Sequence, residues 1–123
     1  MTHDINIHHE EDHESASSYL VGEIRNLLVN SNRNFSIGLS GGNTPKLTYS
    51  MIAEKFDDLS KTFLWTIDDR WIEEDNDLSN QRMINEYFER TNANILKFEF
   101  TSSSPESDAK KYEDKLKSTI QIF

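Results

Sequence analysis

The sequence predicts an α/β protein: a three-layer, Rossmann-like parallel sheet with helices on both faces. Three observations carry that expectation. Strand-type and helix-type periodicities alternate along the chain in the order βαβαβαβα. Residues 62–67 (TFLWTI) form a nearly continuous apolar run, as expected of a strand covered on both faces. A stretch holding three of the four glycines (36–46) runs from one strand through a tight turn to a helix start, the connection that a βαβ unit uses. With 123 residues, 35% hydrophobic and 11% aromatic, the chain is long enough for one domain with a packed core.

Taken in order, Ile5-Asn6-Ile7 alternates and predicts a short first strand. From about residue 10 to 29, Ala16, Leu20, Ile24, Leu27 and Leu28 recur every three or four positions, with Glu10, Glu11 and Asp12 at the start. That is an amphipathic helix whose acids sit at its positive end. SNRN (31–34) is a turn, and residues 35–39 a second strand leading into the glycine loop. Thr44 is the expected N-cap of the next helix, with Pro45 at its first position, where a missing N–H is harmless. After the apolar strand and a polar loop (68–79), a helix is expected around 80–90, a fourth strand at 95–100 and a last helix at 105–118, opened by Ser104 and Pro105. The final residues, IQIF (120–123), are apolar and β-prone with no turn after them. They read as the beginning of a further strand, so the single domain 1–123 is expected to be incomplete at its C-terminus.

Charge narrows the function classes. Thirteen basic and 22 acidic residues give a formal net charge of −9. Such a chain gains nothing from counterion release on nucleic acid, and an anionic membrane surface is disfavoured for the same reason. No apolar stretch approaches the ~20 residues that span a bilayer. The N-terminal MTHDINIHHEEDHE lacks the basic-then-apolar order of a signal peptide. Cysteine is absent, which removes disulfides, thiolate nucleophiles and Cys-based metal sites. A cytoplasmic protein with a small-molecule partner, and neither nucleic acid nor membrane, is the expectation; oligomeric state is not legible.

Two chemistries compete for SIGLSGGNTPK (36–46). Gly38, Ser40 and Gly42 match G-x-S-x-G, the turn that exposes a nucleophilic serine. That fold requires an acid and a histidine later in the chain, whereas His3, His8, His9 and His13 all lie upstream. The helix also begins about a turn too late, at Thr44. The alternative is an anion cradle: glycines allow close backbone approach, and a helix N-terminus supplies free N–H groups. Ser40, Gly41, Gly42, Asn43 and Thr44 have that character, without the Walker A or G-x-G-x-x-G patterns of nucleotide sites. A tight turn holding no ligand also fits the loop taken alone.

A second constellation, DDRWIEEDNDLSN (68–80), begins directly after the apolar strand. Ligands of open α/β sheets bind at the carboxyl ends of strands, which is where both segments leave the sheet. Arg70 suits a phosphate or carboxylate, and Asp68 or Asp69 can orient it or move a proton. The plain alternative is a solvated acidic loop in which Arg70 pairs with a neighbouring carboxylate. Asp75, Asp77, Ser79 and Glu86 fall at positions one, three, five and twelve of an EF-hand-like loop, but Asn80 stands where glycine is needed and Arg82 at the apolar eighth position. The cluster of His8, His9 and His13 near the terminus reads as solvated rather than metal-binding. No metal and no other cofactor is expected.

Taken together, the two segments resemble the 6-phosphogluconolactonase family and its relatives, the glucosamine-6-phosphate deaminases. Ser40-Gly41-Gly42-Asn43-Thr44-Pro45 is similar to that family's S-G-G-[ST]-T-P loop. Asp68-Asp69-Arg70-Trp71-Ile72, followed by Asp77-Leu78-Ser79-Asn80, is similar to its D-E-R-x-V…D-x-x-S-N segment. Arg70-Trp71 resembles the lactonase branch, where deaminases tend to carry D-E-Y. Departures are Asn43 for a small hydroxyl residue, Asp69 for Glu, and no Pro after Ile72. The resemblance implies hydrolysis of 6-phospho-D-glucono-1,5-lactone in the pentose phosphate pathway, with sugar phosphate held by residues 40–44 and Arg70 and with Asp68 in the catalytic group. It implies a general-base His in a G-x-D-G-H segment that would lie beyond residue 123, and hence weak binding and no turnover by these residues alone. A glucosamine-6-phosphate deaminase/isomerase-like enzyme and a non-catalytic sugar-phosphate-binding module are the alternatives.

Overall fold

A computed structural model describes residues 3–120. The elements run α1 (His13–Val29), β1 (Phe35–Leu39), α2 (Lys46–Lys55), β2 (Thr62–Thr66), α3 (Asn80–Phe88), β3 (Asn94–Leu96) and α4 (Pro105–Ile120). The three strands form one parallel sheet in the order β1-β2-β3. Phe35 aligns with Thr62 and Leu39 with Thr66, while Phe63 aligns with Asn94 and Trp65 with Leu96. The α/β class and the parallel sheet are as the alternation of elements predicts.

Leu64 and Leu39 on the sheet meet Val21 of α1, Tyr49 and Ile52 of α2, and Ile84 and Phe88 of α3 in one apolar cluster. Each fully buried member contributes about 2 kcal/mol by removal of apolar surface from water. The two faces of β2 are unequal. The apolar run predicts cover on both, yet only Thr62, Leu64 and Thr66 are buried, and Phe63 and Trp65 are half-buried on the opposite face.

Several expected boundaries shift, each for a local reason. Residues 5–7 form no strand: Ile5 is 83% and Ile7 74% exposed, so a three-residue alternation found no neighbour to pair with. Helix α1 starts at His13 rather than near 10, because the Asp12 side chain accepts the Ser15 N–H at 2.7 Å and closes the helix end there. Thr44 is not the cap of α2. Pro45 takes that position with no side-chain bond, and the Lys46 N–H turns back to the Asn43 carbonyl at 3.3 Å. The fourth expected strand is only Asn94–Leu96. Beyond it the ladder is replaced by side chains: Gln81 Oε1 accepts the Phe98 N–H at 2.9 Å, and the Tyr112 hydroxyl reaches the Leu96 carbonyl at 3.3 Å. That same hydroxyl accepts the Thr66 N–H at 2.9 Å, so Tyr112 plugs the strand ends; burial pushes its phenol up to about 12. In α4, Ser104 Oγ accepts the Ser107 N–H, as the Ser-Pro opening predicts. Of the apolar tail, Ile120 closes α4 and residues 121–123 lie outside the described residues.

Candidate active site

The β1–α2 loop and the β2–α3 loop meet at the carboxyl edge of the sheet, as strand topology requires. Ile67 continues the register past β2, donating its N–H to the Leu39 carbonyl at 3.0 Å, and this fixes the two loops side by side. The Tyr49 hydroxyl donates to the Ser40 carbonyl at 2.8 Å and holds the start of the glycine loop. Gly42 has φ +89°, a left-handed conformation that side chains disfavour. Gly41 is required for a different reason: a Cβ there would lie 2.0 Å from Asn80 Oδ1.

Asn80 is the centre of the site. Its Nδ2 donates to the Asp68 carbonyl at 2.9 Å, its Oδ1 accepts from Arg70 at 3.4 Å, and its side chain lies against Gly41. One buried amide thus ties both loops together. It stands in the D-x-x-S-N segment but was not among the residues that sequence reasoning assigned to binding; its type and position pointed to the motif, and only packing shows the contact.

The two neighbouring aspartates have opposite roles. Asp69 accepts the N–H groups of Arg70 (2.8 Å), Asn80 (2.8 Å) and Gln81 (2.9 Å), closing the N-terminus of α3 beside the Ser79 cap. The Asp68 carboxylate makes no hydrogen bond or ion pair among the described residues, and Asp68 borders the cleft. Of the expected roles for Asp68 or Asp69, orienting the Arg70 guanidinium is filled by neither: from Arg70, Asp69 accepts only the backbone N–H. Arg70 is instead held by the Leu78 carbonyl at 3.1 Å and by Asn80, both neutral acceptors. Among the described residues it forms no ion pair, so the reading in which Arg70 merely neutralises a neighbour does not apply. Arg82 takes that part: it pairs with Asp77 and with Glu86 (2.9 Å) and donates to the Asp75 carbonyl at 2.8 Å. With the guanidinium between them, Asp77 and Glu86 of the EF-hand-like pattern already have a cation, and Ser79 caps α3.

Two adjoining hollows result. One, of about 400 Å³, is bordered by Ser40, Gly41, Gly42, Asp68, Asp69, Arg70 and Asn80. The other, of about 380 Å³, extends past Gly42 and Asn43 to Lys46, Arg70, Arg82 and Asp77. Of the predicted binding residues, Thr44 alone borders neither; it lies on the larger apolar groove of about 740 Å³ beside the free edge of β1. That groove has volume but little charge, whereas the hollows hold the acid, the cations and the loop. Lys46 and Arg82 were missed from sequence, since a basic residue at a helix start or on an amphipathic face carries no signal of its own.

A buried carboxylate anchors the second loop from behind. Asp108, 1% exposed, accepts the Thr101 N–H (2.8 Å), the Thr101 hydroxyl (2.5 Å) and the indole N–H of Trp71 (3.0 Å). The Thr101 bonds lead in holding its pKa down to about 2, against the opposing effect of burial. Trp71, directly after Arg70, packs edge-on against Phe100 at 5.1 Å, so α4 fixes the loop that carries Arg70.

Residues 8–122 match a family profile described as glucosamine-6-phosphate isomerases/6-phosphogluconolactonase. A 6-phosphogluconolactonase from Synechocystis is 34% identical over 91 residues, covering 71% of this chain and 38% of that protein. The crystal structure of a 6-phosphogluconolactonase from Thermotoga maritima superposes with a TM-score of 0.71 at 31% identity, over 83% of this chain and 50% of the other. A monomeric glucosamine-6-phosphate deaminase shares the fold (TM-score 0.75, 14% identity, 89% and 48% covered). The chain therefore spans about half the length of these solved structures.

Proposed function

Because the chain belongs to the glucosamine-6-phosphate isomerase/6-phosphogluconolactonase family, we propose that it carries the sugar-phosphate cleft of a 6-phosphogluconolactonase, acting on 6-phospho-D-glucono-1,5-lactone in the cytoplasm. The observation that supports this most is the pairing of an uncompensated Arg70 with a free Asp68 carboxylate across a glycine loop. An arginine held by neutral acceptors keeps its full charge for an anionic substrate. The likeness of the segments around Arg70-Trp71 to lactonases favours that branch over the deaminases.

In this reading water attacks the ring carbonyl, a tetrahedral oxyanion forms, and the C1–O5 bond breaks as the ring oxygen takes up a proton. No step needs a metal. Backbone N–H groups of residues 41–43 and the hydroxyl of Ser40 hold the substrate, with Asn43 and Arg70 contributing polar contacts. Asp68 orients a sugar hydroxyl or the attacking water. Among the described residues no histidine borders either hollow, so the water-activating imidazole that the family resemblance implies is not assigned to any of them.

The test is a lactone-hydrolysis assay, corrected for spontaneous ring opening, on the polypeptide as the cell makes it, run beside ammonia release from glucosamine 6-phosphate. Accelerated hydrolysis that falls by two or more orders of magnitude in Arg70→Met is expected. Ammonia release without lactone hydrolysis would overturn the assignment.

A further inference from the structure

Three cations border the hollow between α2 and α3, and each has a different electrostatic environment. Arg82 is already neutralised by Asp77 and Glu86. Arg70 is held only by the neutral oxygens of Leu78 and Asn80. The ammonium of Lys46, half-buried as the first residue of α2, makes no hydrogen bond or ion pair among the described residues. No acid stands in the first turn of α2 to offset it. A lysine at the positive end of a helix is repelled by the helix dipole, and a second free cation beside the same hollow adds to that repulsion. Although the chain has 22 acidic residues, neither cation has a carboxylate partner among the described residues.

We propose that Lys46 is a specificity-determining residue: with Arg70 it forms a two-cation seat matched to the dianion of a phosphate monoester. This inference rests on reading the cleft as a sugar-phosphate site and names what selects the phosphorylated sugar there. A phosphate monoester carries about −1.5 to −2 at neutral pH and satisfies both cations. A monoanion satisfies one and leaves the other repelled. Asp77 and Glu86 set the far limit of the seat. Their carboxylates are turned to Arg82, and an anion moved towards them gains nothing from Arg82 that they do not already supply. Among the described residues no histidine borders the hollow, and the ester's own second ionisation lies near pH 6.

The experiment is calorimetric titration of the whole chain with glucose 6-phosphate, glucose 6-sulfate and glucose between pH 5 and 7.5. Glucose 6-sulfate is a permanent monoanion, so it separates charge from shape. The wild type is expected to bind the phosphate ester more tightly as pH rises through about 6, to bind the sulfate ester more weakly with no such rise, and to ignore glucose. In Lys46→Met, phosphate-ester affinity falls about tenfold, to the level of the sulfate ester, as befits the loss of one charge-assisted bond. The pH dependence flattens with it. Lys46→Arg restores both, and matching thermal melts show that the variants are folded. Wild-type behaviour in Lys46→Met, or equal loss of phosphate and sulfate esters, overturns this inference alone. Failure of the wild type to bind glucose 6-phosphate at all overturns the reading of the cleft beneath it.

Discussion

Asp69 and Asp68 are adjacent, chemically identical, and predicted to fail in opposite ways when replaced. Asp69 accepts three backbone N–H groups, two of which belong to Asn80 and Gln81, residues 8% and 1% exposed. In Asp69→Ala those two donors lose their partner where water cannot replace it. An orphaned buried donor costs about 1–3 kcal/mol, so the pair is expected to lower stability by roughly 3 kcal/mol, with the Arg70 N–H adding little because it borders solvent. For a domain of this size that is a fall of about 10 °C in Tm. Asp68→Ala removes a carboxylate with no protein partner and is expected to leave the melt within about 2 °C while weakening sugar-phosphate binding or turnover. The assay is urea and thermal unfolding followed by circular dichroism, with ligand titration on the same samples. Asp69→Asn, which keeps one acceptor oxygen, should fall between wild type and Asp69→Ala. A stable Asp69→Ala beside a destabilised Asp68→Ala would refute the division of labour.

Three further outcomes follow from the geometry. Gly41→Ala places a Cβ against Asn80 Oδ1, so Asn80 must swing away and release Arg70 and the Asp68 carbonyl; ligand affinity should drop at least tenfold, visible by calorimetry, with a smaller effect on the melt. Asp108 has a pKa depressed from 3.8 to about 2 in the folded state, so it binds its proton more readily when unfolded. Its contribution is therefore present above pH 4 and lost as pH falls towards 2, and the urea midpoint of Asp108→Asn should vary less than that of the wild type across that window. Replacing both Ile5 and Ile7 by Ser should change stability by less than about 0.5 kcal/mol by urea unfolding, because neither is buried; a larger loss would mean that the expected first strand does form.

Much of the architecture was legible because it rests on periodicity. The helix at 105 is announced by Ser104-Pro105, and β2 by an apolar run that few other elements tolerate. Ile5-Asn6-Ile7 misled because three alternating residues specify a face but not a neighbour. Thr44 misled because capping rules name a residue type, while the turn through Asn43 moved the cap one position on. The carboxyl end of β3 was set by Gln81 and Tyr112, which lie 17 and 16 residues from the backbone atoms they bond.

By itself the sequence determined the order of elements from α1 onward, the glycine loop, and the presence of an acidic segment with one arginine at the same sheet edge. These depend on local spacing and strand polarity, which a linear pattern records. Tertiary structure alone decided that Asp69 is a helix cap and Asp68 is free, that Asn80 joins the two loops, and that Arg82 is neutralised while Lys46 and Arg70 are not. Such assignments depend on distances between groups well separated in the chain, where a shift of one residue along the loop exchanges a buried hydrogen bond for an open carboxylate.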